Sequence, residues 1–152
     1  MGISKGRCDL SSLFLEQVSG LKPEFVIKST EIITHIEPNI NAVRDVVRMQ
    51  QVITNLLMNS LKFGETKTVE ISAIKQNGSV VITIKDHGIG ISPLDLERIF
   101  KPFERALSDK HFGGMELCIF INLQIMKAHN GKIDVESELG KGTTFTVELP
   151  LL

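Results

Sequence analysis

The sequence predicts an α+β fold: a two-layer sandwich in which a mixed, mostly antiparallel sheet packs on three helices. Apolar residues recur at helical spacing in three separated segments, and runs of period-two hydrophobicity flank Asn-Gly and Gly-x-Gly turns. The order strand, helix, hairpin, loop, helix, hairpin then segregates helices from sheet. With 152 residues the chain makes one ordinary domain, long enough to bury roughly two-thirds of the surface its unfolded form exposes.

Each element has its own signal. "DLSSLFLEQVSGL" sets Leu10, Leu13, Phe14 and Val18 on one helical face, with Asp9 or Ser11 as N-cap and Gly20 as stop. "PEFVIKSTEIITHIEPN" shows β-branched alternation through Ile32, Ile33, Thr34 and Ile36 and ends at Pro38, so a strand is expected. From about Val43 to Phe63 there is no Gly or Pro, and Val46, Val47, Ile53, Leu56, Leu57 and Leu61 return at helical spacing, predicting a long amphipathic helix ended by Gly64. "TVEISAIKQNGSVVITIKD" is a hairpin about Asn77-Gly78. A glycine loop leads into a short helix started at Ser92-Pro93 and stopped by Pro102, and a polar loop covers 105–114. A helix from Met115 to His129 is capped by Asn130-Gly131, and a second hairpin about Gly140 and Gly142 closes the chain.

A net charge of −1, with 42% hydrophobic and 23% charged residues, argues against disorder and against a basic nucleic-acid surface. Cys8 and Cys118 match no metal-ligand spacing and indicate a reducing compartment. No apolar run approaches the ~18 residues of a membrane span, and no signal peptide is legible. The expected location is cytoplasmic, with membrane anchoring of a parent chain left open. Residues 1–8 are expected to be an expression leader or a linker, and 9–152 the folded domain. His35, His111 and His129 are expected at the surface and His87 in a loop.

The chemistry concentrates at a few points. Asn55 and Asn59 lie four apart and share a helix face, with Lys62 three further on. An amide oxygen is a hard neutral ligand suited to Mg²⁺, and Lys is a point charge for phosphate oxygens. In "DHGIGI", Asp86 can accept a hydrogen bond from an exocyclic amine, and Gly88 and Gly90 let backbone pass close to a flat ring. Taken alone, a solvated polar stripe and an ordinary turn explain these residues as well.

The order "NLLMNSLKF", "DHGIGI", "IFKPF", "GGMELCI", "GKGTTF" resembles the catalytic ATP-binding domain of sensor histidine kinases, within the superfamily that includes gyrase, Hsp90 and MutL. The resemblance runs from about Asp9 to Pro150 and implies the ATP-binding sandwich called the Bergerat fold. It implies Asn59 as Mg²⁺ ligand with Asn55 its partner, Lys62 as phosphate contact, Phe63 packed on adenine and Asp86 reading it. Gly88 and Gly90 match the first glycine box, Phe100 and Phe103 the phenylalanine box, Arg105 the start of the ATP lid, Gly114 the second glycine box, and Thr144 completes the nucleotide set. Asn55, Lys62 and Arg105 would serve catalysis. Related ATPases and serine kinases carry glutamate where Asn55 stands; an amide takes no proton, which favours the histidine-kinase branch.

That branch implies ATP or ADP with Mg²⁺ as ligands, a dimerisation and histidine-phosphotransfer domain and a response regulator as partners, no nucleic acid, and a monomer for the isolated domain. One departure stands out. In the second glycine box Glu116 and Cys118 occupy glycine positions at a helix N-terminus that would cradle phosphates. A carboxylate about 5 Å from a phosphate charge costs about 3 kcal/mol at an effective dielectric of 20. The alternative reading is therefore a degenerate, pseudokinase-like docking module with weak or no ATP binding.

Overall fold

The computed structural model describes residues 5–63, 67–97 and 115–151, with side chains described in 5–61, 67–97 and 121–151. The elements in order are β1 (Gly6–Asp9), α1 (Leu10–Ile27), β2 (Ile32–Ile36), β3 (Asn41–Arg44), α2 (Val46–Phe63), β4 (Val69–Gln76), β5 (Ser79–Lys85), α3 (Pro93–Leu96), α4 (Met115–Ala128), β6 (Lys132–Glu138) and β7 (Gly142–Pro150). A five-stranded sheet runs β2-β4-β5-β7-β6, and β1 and β3 form a separate antiparallel ribbon. Only β2 against β4 is parallel in the large sheet; the other pairs are antiparallel. The predicted α+β sandwich is the one observed.

Asp9 caps α1, accepting from the Ser12 backbone N–H at 3.2 Å. Gly20 is the stop the sequence predicts, yet α1 runs through it, and through Pro23, to Ile27. Gly20 has open space about it, so its cost in a helix is about 1 kcal/mol. Phe25, 1% exposed, outweighs that by anchoring the following turn in the core. The stop comes instead from Ser29 at φ 54, with Thr30 N–H donating to Phe25 C=O at 2.9 Å and Ser29 N–H to Val26 C=O at 3.0 Å. Residues 23–27 of the "PEFVIKST" stretch are therefore helical, and β2 is confined to Ile32–Ile36, where the β-branched residues lie.

A second correction concerns Asn41–Arg44, which forms β3 ahead of the long helix. Asp45 then caps α2, its carboxylate accepting from Arg48 N–H at 3.2 Å. Arg44 is buried and ties β3 to the end of β7, its guanidinium donating to the carbonyls of Val43 and Pro150.

The β4–β5 turn has Asn77 at φ 52 and Gly78 at φ 81, the left-handed pair that matches strand twist. Alternate residues of the sheet, among them Ile71, Ile84, Phe145 and Val147, face the helices and form one core with α1, α2 and α4. His129 belongs to that core and not to the surface: it is 0% exposed. It stands seven residues after Asn122 and four and three after Ile125 and Met126, so in the turn that ends α4 it continues the buried face of that helix.

Candidate functional site

Helix α2 carries Asn55 and Asn59 on adjacent turns. Asn55 is half-buried and donates Nδ2–H to the Asn122 Oδ1 of α4 at 3.0 Å. Asn59 is 7% exposed, and its Nδ2 finds no partner among the described residues. Lys62 and Phe63 occupy the last turn of α2, but their side chains lie outside the described residues.

Asp86 follows β5 and continues the parity of Ile82 and Ile84, which face the helix layer. It is 5% exposed. Its Oδ1 accepts from Gly88 N–H at 2.9 Å and from Thr143 N–H at 3.2 Å, and Asp86 N–H donates to Thr143 C=O at 2.9 Å. These bonds lock the carboxylate between the end of β5 and the start of β7. Ser137 completes the clamp. Its hydroxyl donates to Gly142 C=O at 2.9 Å, accepts from Ile91 N–H at 2.7 Å and meets Thr143 Oγ1 at 2.7 Å. A single hydroxyl proton spent on Gly142 makes Thr143 the donor in that last contact.

The glycines here have a reason the sequence did not reveal. A Cβ on Gly90, at φ 74, would lie 2.2 Å from Glu138 O; one on Gly142, at φ 118, would lie 2.2 Å from Asp86 O. Both residues let the 86–91 loop seat against the β6–β7 turn, where Gly140 N–H also donates to Ile89 C=O at 2.9 Å. For Gly90 the close approach is to the chain's own backbone. Gly88 is buried, its N–H turned onto Asp86.

Thr144 is placed differently from the other candidates. Thr143 and Phe145 are buried toward the helices, so Thr144 points to the opposite face of β7. There it lines an open cleft of about 340 Å³ with Lys85, Glu136 and Lys141. Asn55 and Asn59 thus sit on α2, Asn55 facing α4, while Asp86 stands at the end of β5 and also lines the cleft that Thr144 lines. Sequence reasoning missed Thr143, Ser137 and Asn122. The parity of Thr143 with Phe145 and the stripe of Asn122 with Ile125 were available signals.

Arg105, Gly114, Phe100, Phe103 and the Pro102 stop lie outside the described residues. Glu116 and Cys118 fall in the first turn of α4, with only their backbone described.

The donor set suits a nucleotide with its cation. Among the described residues no group of three His, Cys, Asp or Glu side chains could hold a metal. A cation here would rely on an amide oxygen plus oxygens of the ligand and water, the coordination Mg²⁺ prefers. The Nδ2 of Asn59, unmet among the described residues, is free to donate to an acceptor of the chemistry of a phosphate oxygen.

Residues 44–152 match the family described as "Histidine kinase-, DNA gyrase B-, and HSP90-like ATPase". Sensor protein SrrB of Staphylococcus aureus (strain NCTC 8325 / PS 47) is 38% identical over 109 residues, which are 70% of this chain and 19% of SrrB. The chain thus spans about a fifth of the length of the curated relatives it matches. Among solved structures, the nucleotide-free catalytic domain of histidine kinase ThkA superposes with a TM-score of 0.86 at 22% identity, covering 98% of this chain and 97% of that one, a likeness of fold. Full-length ShkA in complex with AMPPNP gives 0.83 at 27% identity, over 99% of this chain and 32% of that one.

Proposed function

The chain belongs to the histidine kinase-, DNA gyrase B- and HSP90-like ATPase family, as an ATP-binding domain of the sensor histidine kinase kind, and on that premise we propose that it transfers the γ-phosphoryl of ATP to a histidine on a separate dimerisation domain. The observation that carries the reading is the pair of amides on α2, one with a buried N–H unmet among the described residues, together with the buried, clamped Asp86 carboxylate at the end of β5.

In this reading Asp86 accepts a hydrogen bond from the adenine amine, and its two backbone donors hold it oriented for that task. Asn59 would hold Mg²⁺, with Asn55 beside it on α2. Bound Mg²⁺ supplies charge neutralisation across the phosphate oxygens. By the family resemblance Lys62 would add a point charge, Phe63 would serve the adenine, and Arg105 and Gly114 would serve the phosphates. On β7, Thr143 joins the site through its backbone bonds to Asp86, beside Thr144, which shares a cleft with Asp86. No group at position 55 can take a proton, so the nucleophile comes activated from another domain and the work done here is positioning and electrostatics.

The partners proposed are the dimerisation domain of a longer parent, within which the catalytic unit expected at 9–152 takes in β1 as well, and a downstream response regulator. A cytoplasmic position goes with them; among the described residues no helix is long and apolar enough to cross a membrane. The reading in which Glu116 and Cys118 leave only a docking module is not favoured by the family match and the sensor-kinase relatives.

Calorimetric titration with ATP and ADP, each with and without Mg²⁺, tests the proposal. The expected result is micromolar, Mg²⁺-dependent ATP binding that Asn59→Ala abolishes. Unchanged affinity in that variant would sink the site assignment, and no heat with either nucleotide would sink the function.

A further inference from the structure

We propose that Asn122 is a positioning residue for the nucleotide site: it holds the Asn55 amide so that Asn55 turns its carbonyl oxygen, and not its N–H₂, toward the ligand. The inference rests on the nucleotide-binding reading above and deepens it by assigning a residue on a second helix.

Asn122 occupies the buried stripe of α4 that includes Ile125 and Met126, and all three are 0% exposed. An aliphatic side chain would fill this position between helices at no polar cost. Asn122 instead forms one hydrogen bond, accepting from Asn55 Nδ2 at 3.0 Å, while its own Nδ2 has no partner among the described residues. A buried amide left half-satisfied destabilises the fold. Among the described residues, then, stability does not account for asparagine at 122, and its effect on Asn55 does.

The two ends of an asparagine amide are nearly equal in size and opposite in chemistry. Rotation by half a turn about the last side-chain bond exchanges an acceptor for two donors, and only the hydrogen-bond partner decides which end faces where. With the Asn122 oxygen accepting, the nitrogen of Asn55 is committed between the helices and its oxygen remains for the ligand. Oxygen is the end that can ligate a hard cation or accept from a cation-bound water; the amide nitrogen can do neither. The bridge also joins the helix that carries Asn55 and Asn59 to the helix that opens with Glu116 and Cys118. The register of α4 is thereby transmitted to the cation side of the site.

The test is calorimetric affinity for ATP with and without Mg²⁺ in the wild type, in Asn122→Leu, which keeps the volume but removes the acceptor, and in Asn122→Asp, which keeps an acceptor for Asn55. Thermal unfolding of each variant reports whether it folds. Loss of an outer partner of a metal site weakens binding about 10–100-fold. Asn122→Leu should accordingly lose roughly tenfold in Mg²⁺-dependent affinity, at the low end of that range, with Mg²⁺-free affinity and melting temperature unchanged or raised. Asn122→Asp should keep the ratio between the two affinities. In an Asn55→Asp background, where either orientation offers oxygen, adding Asn122→Leu should cause no further loss.

An unchanged Mg²⁺ ratio in Asn122→Leu overturns this inference and leaves the proposed function standing. Equal losses with and without Mg²⁺ also overturn it, because a structural role alone predicts them. A folded wild type that binds no nucleotide overturns the proposed function and this inference with it.

Discussion

Replacing Gly142 by alanine should be among the most damaging single-methyl changes in the chain. Its Cβ would sit 2.2 Å from Asp86 O, 2.8 Å from His87 Cα and 2.9 Å from Asp86 C, all backbone positions that no side-chain rotation can clear. The left-handed φ of 118 adds strain of roughly 1–3 kcal/mol for a residue with a Cβ. Moving Asp86 away also breaks the two bonds between Asp86 and Thr143, at about 1 kcal/mol each. The sum is about 3–5 kcal/mol, against a typical total stability of about 5–15 kcal/mol. Gly78→Ala is the matched control: φ is 81, nothing lies within 4 Å of its Cβ, and the expected cost is about 1–2 kcal/mol of conformational strain alone. Urea unfolding followed by far-ultraviolet circular dichroism measures both, since the chain has no Trp or Tyr to report by fluorescence. Adenosine binding should fall in Gly142→Ala and persist in Gly78→Ala. Equal destabilisation of the two variants would refute the steric argument, and intact adenosine affinity in Gly142→Ala would refute the link to Asp86.

Gly20→Ala should stabilise the protein by about 0.5–1 kcal/mol, because the residue is helical, exposed and open around its Cβ; a destabilised variant would mean that α1 breaks there. His129 gives a pH dependence. Burial pushes its pKa below the usual 6.5, Arg44 and Lys5 push the same way, and Asp45 opposes them. The unfolded chain therefore binds the proton more readily, so stability is full above pH 6.5 and falls as the pH drops below it, by at most about 1.4 kcal/mol per pH unit for one group. Denaturation at pH 7.5 and 5.5 should show this slope in the wild type and lose part of it in His129→Gln; an unchanged slope would show that His129 takes its proton without opening the fold.

The fold class, both hairpins, the long α2 and the places of Asn55 and Asn59 on that helix and of Asp86 after β5 can be read from the amino-acid sequence. These are legible because period, turn chemistry and motif order are local: the left-handed pair Asn77-Gly78 and the four-residue spacing of the asparagines need no distant partner to be recognised. Tertiary structure alone decided where α1 ends, because burial of Phe25 outweighed the breaker signal of Gly20. It also decided that 41–44 pair with 6–9, since a four-residue strand has no pattern of its own and exists only through its partner. The roles of Gly90 and Gly142 came from contacts some 50 residues away in sequence, which no local window contains. The same holds for the Asn55–Asn122 bridge, 67 residues across, and for the burial of His129. A polar residue on an apolar stripe is visible in the sequence, but what it faces is settled only when the other helix packs against it.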